Sequence, residues 1–429
     1  MSQEKSYHLE TMAIHGAFKF EPTTRAEAVP IFQTVAYGFD NTEQAEKIFA
    51  LQAEGHIYTR LSNPTTEVFE KRVAMLEGGV GALATASGQA AITLSILNIV
   101  NCGEEVVSSN SLYGGTFNLF NVTLPKFGIK VNMVNAQDPE NFRRAITPKT
   151  RAIYADTIGN PGMEIIDIET IAKLAHENGI PLILDNTFAT PYLCRPFDWG
   201  ADIVVHSASK YFCGNGTSIG GIVIDSGNFD WTSGRFPSMT EPDPGYHNIS
   251  YAHDVGKAAY ITKLRAQMLR DLGVPLSPFN AFLYLLGLET LHLRVERQID
   301  NALKVAKYLE NHPAVDWVNY PSLPSNKFYN LAQKYLPRGA GAVFTFGIKG
   351  GRKAGAKFID SVQLFSHLAN LGEVRSLVVH PASTTHSQLS PEEQISTGVT
   401  PDMVRISLGI ENIEDLLNDL EQALINSQK

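Results

Sequence analysis

Two neighbouring stretches of the chain, PLILDNTF at 181–188 and ADIVVHSASKY at 201–211, decide the fold. Each contains a short apolar run of strand length that ends in polar residues. Asp185 ends the first run, and Lys210 follows shortly after the second. Ligands of open parallel sheets bind at the carboxyl ends of the strands. We therefore expect Asp185 and Lys210 to meet at one ligand.

The same alternation of short apolar strands and amphipathic helices extends on both sides of these stretches. It predicts an α/β domain with a mainly parallel sheet. Strands are predicted at 81–86, 105–108, 129–134, 152–156, 181–184, 203–206 and from Gly221 onward, and helices at 89–100 and 165–178.

The later part of the chain has a different pattern, which we interpret as a smaller α+β domain. A long helical pattern covers 277–311 and is interrupted at Gly287. Strands are predicted at 342–348 and 404–408, and a last helix from Ile413.

Two other segments lack strong periodicity. The stretch 226–260 is rich in Gly, Pro, Ser and Asp and predicts an excursion over the surface. The first 62 residues carry many turn formers and predict an arm laid on another subunit. The chain then divides into the arm 1–62, a ligand-binding domain 63–275 with an insertion at 226–275, and a C-terminal domain 276–429.

The overall composition limits the class of protein. A chain of 429 residues favours two domains over one core. The net charge is −9, from 35 Lys and Arg against 44 Asp and Glu, which argues against nucleic acid as a partner. Neither a signal-peptide pattern nor a membrane-length apolar run is present, so we expect a cytoplasmic protein without a membrane partner. Cys102, Cys194 and Cys213 form no disulfide or zinc pattern, so we expect buried free thiols.

Lys210 and Asp185 together suit one cofactor, pyridoxal phosphate (PLP). A lysine forms an imine (Schiff base) with its aldehyde, and a carboxylate keeps its pyridine nitrogen protonated. A salt bridge, or a lysine that simply reaches solvent, is the alternative for an isolated pair. The position at strand ends, with Ser207 and Ser209 beside the lysine, favours the cofactor.

Other segments add candidates, each with a plain alternative. Ser87-Gly88-Gln89 lies where a strand leads into a helix and suits phosphate, although a simple helix cap is the alternative. Tyr113 stacks on a cofactor ring, carries a proton, or is an ordinary loop tyrosine. Asn160 contacts a cofactor oxygen or forms a turn. Arg405 binds a substrate carboxylate or an internal one.

Histidine and glycine patterns elsewhere predict no further site. Gly214, Gly216 and Gly220 lack the spacing of a nucleotide-binding loop. His380 and His386 flank a loop without helical metal-ligand spacing, and we expect no metal site.

Taken together, these segments resemble the Cys/Met-metabolism family of PLP enzymes over nearly the whole chain. The resemblance implies an aspartate-aminotransferase-like fold: a mainly parallel seven-stranded sheet with a smaller α+β C-terminal domain. It implies a Schiff-base lysine at Lys210, a pyridine partner at Asp185, a cofactor contact at Thr187, phosphate contacts at Ser87, Gly88, Gln89, Ser207 and Ser209, ring stacking by Tyr113, and substrate contacts at Arg405, Ser376 and Asn160.

The resemblance also implies self-association. Tyr58 and Arg60, in YTRLSNPT, are similar to the family segment that reaches the cofactor phosphate of a neighbouring subunit. We therefore expect a homotetramer built from two dimers.

Two segments, 236–265 and the loop from His380, resemble the O-acetylhomoserine sulfhydrylase branch of the family. That resemblance implies γ-replacement on O-acetyl-L-homoserine by sulfide or a thiol. Arg375 stands where the compared lyases carry an acidic residue. Cystathionine γ-synthase or γ-lyase activity, O-succinylhomoserine sulfhydrylation, and a non-catalytic α/β binding protein remain the alternatives.

Overall fold

The structure is a computed structural model that describes residues 7–387 and 390–429. Its larger sheet has seven strands in the order β1-β7-β6-β5-β4-β2-β3. All neighbours pair in parallel except β7, which is antiparallel to β1 and β6. The predicted mainly parallel sheet is confirmed. Its strands are β1 (Gly81–Thr85), β2 (Glu105–Ser109), β3 (Lys130–Val134), β4 (Thr150–Asp156), β5 (Leu182–Asp185), β6 (Ile203–Ser207) and β7 (Gly221–Asp225).

The smaller sheet confirms the second, α+β part of the fold. It has the order β10-β11-β12-β9-β8 and is largely antiparallel. Its strands are β8 (Val315–Asn319), β9 (Val343–Ile348), β10 (Ser366–His367), β11 (Leu377–Val379) and β12 (Met403–Ser407).

Helices connect and cover the two sheets, and their apolar faces complete the buried core. The α-helices of the described residues are α1 (Leu9–His15), α2 (Thr42–Phe49), α3 (Pro64–Glu77), α4 (Gly88–Leu97), α5 (Gly114–Asn118), α6 (Glu140–Ala145), α7 (Ile168–Glu177), α8 (Thr190–Leu193), α9 (Pro237–Thr240), α10 (Ala259–Lys263), α11 (Arg270–Leu272), α12 (Pro278–Glu289), α13 (Leu291–Glu310), α14 (Tyr329–Tyr335), α15 (Gly351–Ser361), α16 (Pro391–Ser396) and α17 (Ile413–Ser427). None of the helices in the described part of the chain is long and apolar enough to cross a membrane.

The central strands are buried on both faces, which explains their unbroken apolar runs. In β5 and β6 the residues from Leu182 to Leu184 and from Ile203 to Val205 are fully buried. Polar residues come at the carboxyl end of each strand, Asp185 in β5 and His206 and Ser207 in β6. The side chains at issue are those of the last residues, Asp185 and Ser207. The hydrophobic pattern therefore places these two side chains at the same edge of the sheet.

The long helical pattern forms two helices, as expected, but Gly287 is not the break. Helix α12 continues through Gly287 to Glu289, and α13 begins at Leu291. A Cβ atom at position 287 would collide with the carbonyl oxygen of Phe212. This glycine therefore allows α12 to pack closely against the chain that follows Lys210.

Two expectations about burial, for the stretch 226–260 and for the cysteines, are wrong in part. The stretch 226–260 does not lie wholly on the surface, because Trp231, Phe236 and Tyr260 form a buried aromatic cluster. The three cysteines are free, but Cys102 is exposed, whereas Cys194 and Cys213 are buried.

Candidate active site

A cavity of about 510 Å³ lies at the edge of the large sheet where β4, β5 and β6 end. Two sets of residues line it. The first, here called the sheet wall, comes from these strand ends and the segments just after them. The second, the C-terminal wall, comes from the smaller domain. The sequence-predicted residues that line the cavity are Ser87, Gly88, Gln89, Tyr113, Asn160, Asp185, Thr187, Ser207, Ser209, Lys210 and Arg405.

The N-terminus of α4 opens onto the sheet wall. The Ser87 hydroxyl group accepts a hydrogen bond from the backbone N–H of Ala90 at 3.1 Å, so this residue is the helix cap. A Cβ atom at Gly88 would lie only 2.7 Å from the Cβ atom of Ser207. Glycine is required because the helix passes so close to the end of β6. The backbone can therefore approach a bound anion.

Thr187 fixes the ends of β5 and β6 relative to each other. Its backbone N–H donates to Asp185 Oδ1 at 2.9 Å, and its hydroxyl oxygen accepts from the Ser207 N–H at 2.9 Å. The first bond orients the Asp185 carboxylate at the cavity wall, and the second ties Thr187 to the end of β6. The Ser209 hydroxyl group is bonded to Gly220, donating to its carbonyl oxygen at 3.2 Å and accepting from its N–H at 3.1 Å.

Asp185 has a second carboxyl group beside it. Asp156, the last residue of β4, pairs directly with Asp185 in the parallel register, so both side chains lie on one face. Burial raises the pKa of both groups, and the charge of Asp185 raises the pKa of Asp156 further, well above its ordinary value. When the pair shares one proton, Asp156 therefore holds it as the neutral member, and Asp185 carries the negative charge.

Lys210 lies where the two walls meet. Burial, with the nearby positive charge of Arg405, lowers the pKa of its amine to about 8. Its Nζ donates a hydrogen bond to the Oδ1 atom of Asn370. A much larger fraction of this amine is unprotonated near neutral pH than for an ordinary lysine.

Arg405 projects from β12 into the C-terminal wall. Its side chain is only 4% exposed, and burial lowers its pKa to about 10. Nη1 donates to Asn160 Oδ1 at 3.1 Å, and Nη2 donates to the Asn370 carbonyl oxygen at 3.3 Å. Within the described residues no carboxylate forms a salt bridge with it. The internal ion pair considered as its alternative is not formed, and the guanidinium group is available for an external carboxylate.

Tyr113 lies at the mouth of the cavity, with 49% of its side chain exposed. Its backbone N–H donates to Asp156 Oδ2 at 3.3 Å. The neutral carboxyl group thus positions the loop of the tyrosine, while the ring remains free to contact a ligand.

Four residues singled out from the sequence do not line the cavity. Ser376 is fully buried, and its hydroxyl group donates to Glu411 Oε2 at 2.9 Å and accepts from the Gly409 N–H. Tyr58 and Arg60 are exposed on the N-terminal arm, with the guanidinium group 5.4 Å from the ring centre. Arg375 is also exposed.

The cavity contains residues that sequence reasoning missed. Asn370 bridges Lys210 and Arg405, and the loop at 216–219 brings the Ser218 hydroxyl group to the wall. Thr385 contributes from the loop that follows β11. An asparagine in an irregular loop has no periodic or motif signal. Asp156 was missed as well, although it ends the predicted strand 152–156 in the same way that Asp185 ends the next one.

The residues present fit pyridoxal phosphate. Three buried polar atoms on the cavity lining have no hydrogen-bond partner within the described structure: Gln89 Oε1, Ser218 Oγ and Asp156 Oδ1. Orphaned polar atoms of this kind are rare unless a ligand or water satisfies them. A helix N-terminus, a charged aspartate and a lysine amine border the same space, as a phosphorylated pyridine aldehyde requires.

The described residues contain no cluster of three or more side chains suited to a metal ion. His380 is hydrogen-bonded to Ser383 Oγ and to the carbonyl oxygen of Pro401. His386 is bonded to Thr385 through Nδ1. Both imidazoles therefore have roles within their loop.

Comparisons with known proteins agree with this geometry. The family model described as "Cys/Met metabolism PLP-dependent enzyme" matches residues 10–425. The chain is 55% identical to O-acetyl-L-homoserine sulfhydrylase from Leptospira meyeri, over 99% of this chain and 98% of the relative. It is 48% identical to homocysteine synthase from Schizosaccharomyces pombe, over 98% and 99% of the two chains.

A solved structure has a closely similar fold over nearly the whole chain. The crystal structure of a Campylobacter jejuni protein, assigned as an O-acetylhomoserine (thiol)-lyase, superposes with a TM-score of 0.95. The two chains are 42% identical over 98% of this chain and 100% of the other. That crystal contains N'-pyridoxyl-lysine-5'-monophosphate.

Proposed function

The chain belongs to the Cys/Met metabolism family of PLP-dependent enzymes, and from that premise we propose that it converts O-acetyl-L-homoserine and sulfide into L-homocysteine and acetate. The names of its relatives support this γ-replacement reaction. An enzyme with this activity is an O-acetylhomoserine aminocarboxypropyltransferase. It supplies homocysteine for methionine biosynthesis by direct sulfhydrylation.

The sheet wall would hold the cofactor, pyridoxal 5'-phosphate. The start of α4 at Ser87, Gly88 and Gln89 would bind its phosphate, together with the hydroxyl groups of Ser207 and Ser209. Asp185 would pair with the pyridine nitrogen, and Tyr113 would cover the ring. When bound, the cofactor supplies an aldehyde for amines and a ring that withdraws electrons from the substrate carbon.

Lys210 moves protons in the proposed reaction. Its amine would remove the proton from Cα of the substrate and release it to the conjugated system that the cofactor would supply. The amine, free again, would then remove a proton from Cβ, which allows the Cγ–O bond to break and acetate to leave. Sulfide forms the new Cγ–S bond, and the protons return to Cβ and Cα. An amine with a pKa of about 8 suits these exchanges, because it gives and takes protons readily near neutral pH.

Arg405 orients the substrate. Its guanidinium group would bind the α-carboxylate with two parallel hydrogen bonds. Asn160 and Asn370 already hold the guanidinium group in place through Nη1 and Nη2. A carboxylate bound there would share the cavity with the Lys210 amine, which is linked to Arg405 through Asn370, and fixing it would orient the substrate towards the base.

One observation carries the proposal. A buried lysine with a lowered pKa and a buried arginine without a described salt bridge line the same cavity, joined by Asn370. An amino-acid substrate brings both groups their missing partners. A simple binding protein has no need for the basic lysine.

Product analysis tests the reaction. The purified protein with PLP and sulfide is given O-acetyl-L-homoserine, O-succinyl-L-homoserine or cystathionine in separate reactions. We expect homocysteine and acetate at the highest rate from the acetyl ester. A higher rate with the succinyl ester, or cleavage of cystathionine without sulfide, would contradict the proposal.

A partner chain would complete the site. Residues 7–62 include exposed apolar side chains, and this segment carries Tyr58 and Arg60 outside the cavity of its own chain. We propose that these two residues reach the cofactor phosphate of a neighbouring copy in a homotetramer of two dimers, and that the enzyme works in the cytoplasm. Dilution below the dimer threshold should release the cofactor, whereas a fully active monomer would contradict this assembly.

A further inference from the structure

Two side chains connect Lys210 to a buried carboxylate, Glu373. The Lys210 amine donates to Asn370 Oδ1, and Asn370 Nδ2 donates in turn to Glu373 Oε1. Glu373 is only 5% exposed. Within the described residues it takes part in no salt bridge within 4 Å. A buried carboxylate without a cation in contact is costly, so its position needs a reason.

The backbone around Glu373 is held rigidly against the segment that follows Lys210. Its carbonyl oxygen accepts a hydrogen bond from Gln298 Nε2 at 2.6 Å. The N–H of the next residue, Val374, donates to the Gly214 carbonyl oxygen at 2.8 Å. A Cβ atom at Gly216, whose φ is +67°, would lie 2.7 Å from Glu373 Oε1, so the carboxylate lies close against this loop. The carboxylate is therefore fixed beside the lysine loop.

The charged groups around the Lys210 amine act in opposite directions. Arg405 on β12 lowers its pKa, and Glu373 raises it. On the sheet wall, Asp185 carries the negative charge of the carboxyl pair and Asp156 is neutral. Arg294, on α13, lies against Gly214 in the same loop as Gly216. Among these groups, Glu373 is the one anion connected to Lys210 by hydrogen bonds.

The proposed reaction requires the amine to act as both base and acid, at Cα and at Cβ. A group does both well only when its pKa lies near the working pH. Burial and the charge of Arg405 both lower the pKa of the amine and so disfavour its ammonium form. A nearby anion favours the ammonium form and therefore raises the pKa of the amine again.

We propose that Glu373 is a positioning residue for Lys210. Acting through Asn370, it holds the free amine next to the substrate-carboxylate site and keeps the amine able both to remove protons from Cα and Cβ and to return them. The proposal rests on the proposed function only in taking Lys210 as the reacting amine.

The test measures the pH midpoint of Lys210 reactivity in the full-length chain after removal of the cofactor. Trace labelling with acetic anhydride over a pH series, followed by peptide mass spectrometry, reports the unprotonated fraction. In Glu373→Gln we expect the midpoint to fall by about one pH unit, because the anion that favours the ammonium form is gone. In Glu411→Gln, which removes an anion bonded to Ser376 instead, the midpoint should stay in place.

Steady-state kinetics provide a second readout. The acid limb of the kcat profile should move to lower pH in Glu373→Gln, while KM for the acyl-homoserine stays within about twofold. A folded Glu373→Gln protein with an unchanged labelling midpoint overturns the proposal, because Glu373 then only supports the loop. The midpoint is measured without substrate, so it is independent of which acyl-homoserine the enzyme uses.

A second variant covers the case in which Glu373→Gln does not fold. Asn370→Ala removes the acceptor of the Lys210 amine and breaks the link to Glu373, but leaves the backbone carbonyl that binds Arg405. We expect its labelling midpoint to fall as well. An unchanged or higher midpoint in this variant would equally overturn the proposal.

Discussion

The sheet wall and the C-terminal wall of the cavity are built in different ways. In the sheet wall, each polar side chain stands at the end of a buried strand or within a few residues of it, as with Asp185 and Lys210. In the C-terminal wall, Asn370 and Thr385 come from loops, and Arg405 comes from a strand. The first wall is specified by local sequence, and the second exists only once the smaller sheet has folded against the larger one.

The two walls suit different parts of the chemistry. The sheet wall offers a helix N-terminus, a fixed aspartate and a lysine, which suit the cofactor. The C-terminal wall offers a buried guanidinium group held by neutral oxygens, which suits a substrate carboxylate. Changes in the first wall should therefore affect cofactor binding and chemistry, and changes in the second should affect substrate binding.

The largest effect is expected from Lys210→Ala in the sheet wall. The variant lacks both the cofactor-linking amine and the base, so kcat/KM should fall by at least about 10³-fold. The visible absorbance of the bound cofactor should disappear as well. Spectra and initial rates of the variant and the parent check both points, and a variant that keeps half of the activity would break the assignment.

Asp185→Asn should have the next largest effect. Loss of the negative charge beside the pyridine nitrogen should reduce kcat by roughly 10²–10³-fold. Asp156→Asn is the matched control, since its carboxyl group is already neutral, and it should stay within about fivefold of the parent. Equal losses in the two variants would show that the charge does not reside on Asp185.

Arg405→Lys tests the C-terminal wall. A lysine cannot form two parallel bonds to a carboxylate, so kcat/KM should fall by about 10–100-fold, mainly through KM. The absorbance of the cofactor should be unchanged. Saturation kinetics with O-acetyl-L-homoserine measure the change, and a pure kcat defect would argue against carboxylate binding.

Ser376→Ala should have the smallest effect. Its hydroxyl group is bonded to Glu411 and Gly409 instead of facing the cavity. We expect KM to change by less than about twofold and the free energy of unfolding to fall by about 1 kcal/mol. Denaturant titration measures the change in the free energy of unfolding, and saturation kinetics measure the change in KM. A large rise in KM would show that Ser376 contacts the substrate after all.

Much of the larger domain could be predicted from the sequence because its strands are continuous apolar runs. The ends of β5 and β6 follow directly from those runs, and so do Asp185 and Lys210. Strand β8 and helix α15 were missed, since β8 is only half buried and lacks a clean alternation. The sequence pattern predicts a helix break at Gly287, whereas the small size of this residue serves close packing against Phe212.

The C-terminal wall could be predicted only in part. Arg405 was visible as a charge within an apolar strand. Asn370, Glu373 and Thr385 carry no such signal, because their importance comes from contacts with residues far away in the sequence. The resemblance to the family implies a substrate contact at Ser376, whereas the segment around it packs inward against Glu411.

The most direct test of Lys210 as the cofactor-binding lysine is to locate the cofactor on the chain. The protein loaded with PLP is reduced with borohydride, digested and analysed by peptide mass spectrometry. We expect a phosphopyridoxyl group on the peptide that contains Lys210 in the parent protein. The corresponding peptide of Lys210→Ala should carry no such group. A stable modification on a different lysine of the parent, or none at all, would contradict the central claim that this strand-end lysine holds the cofactor.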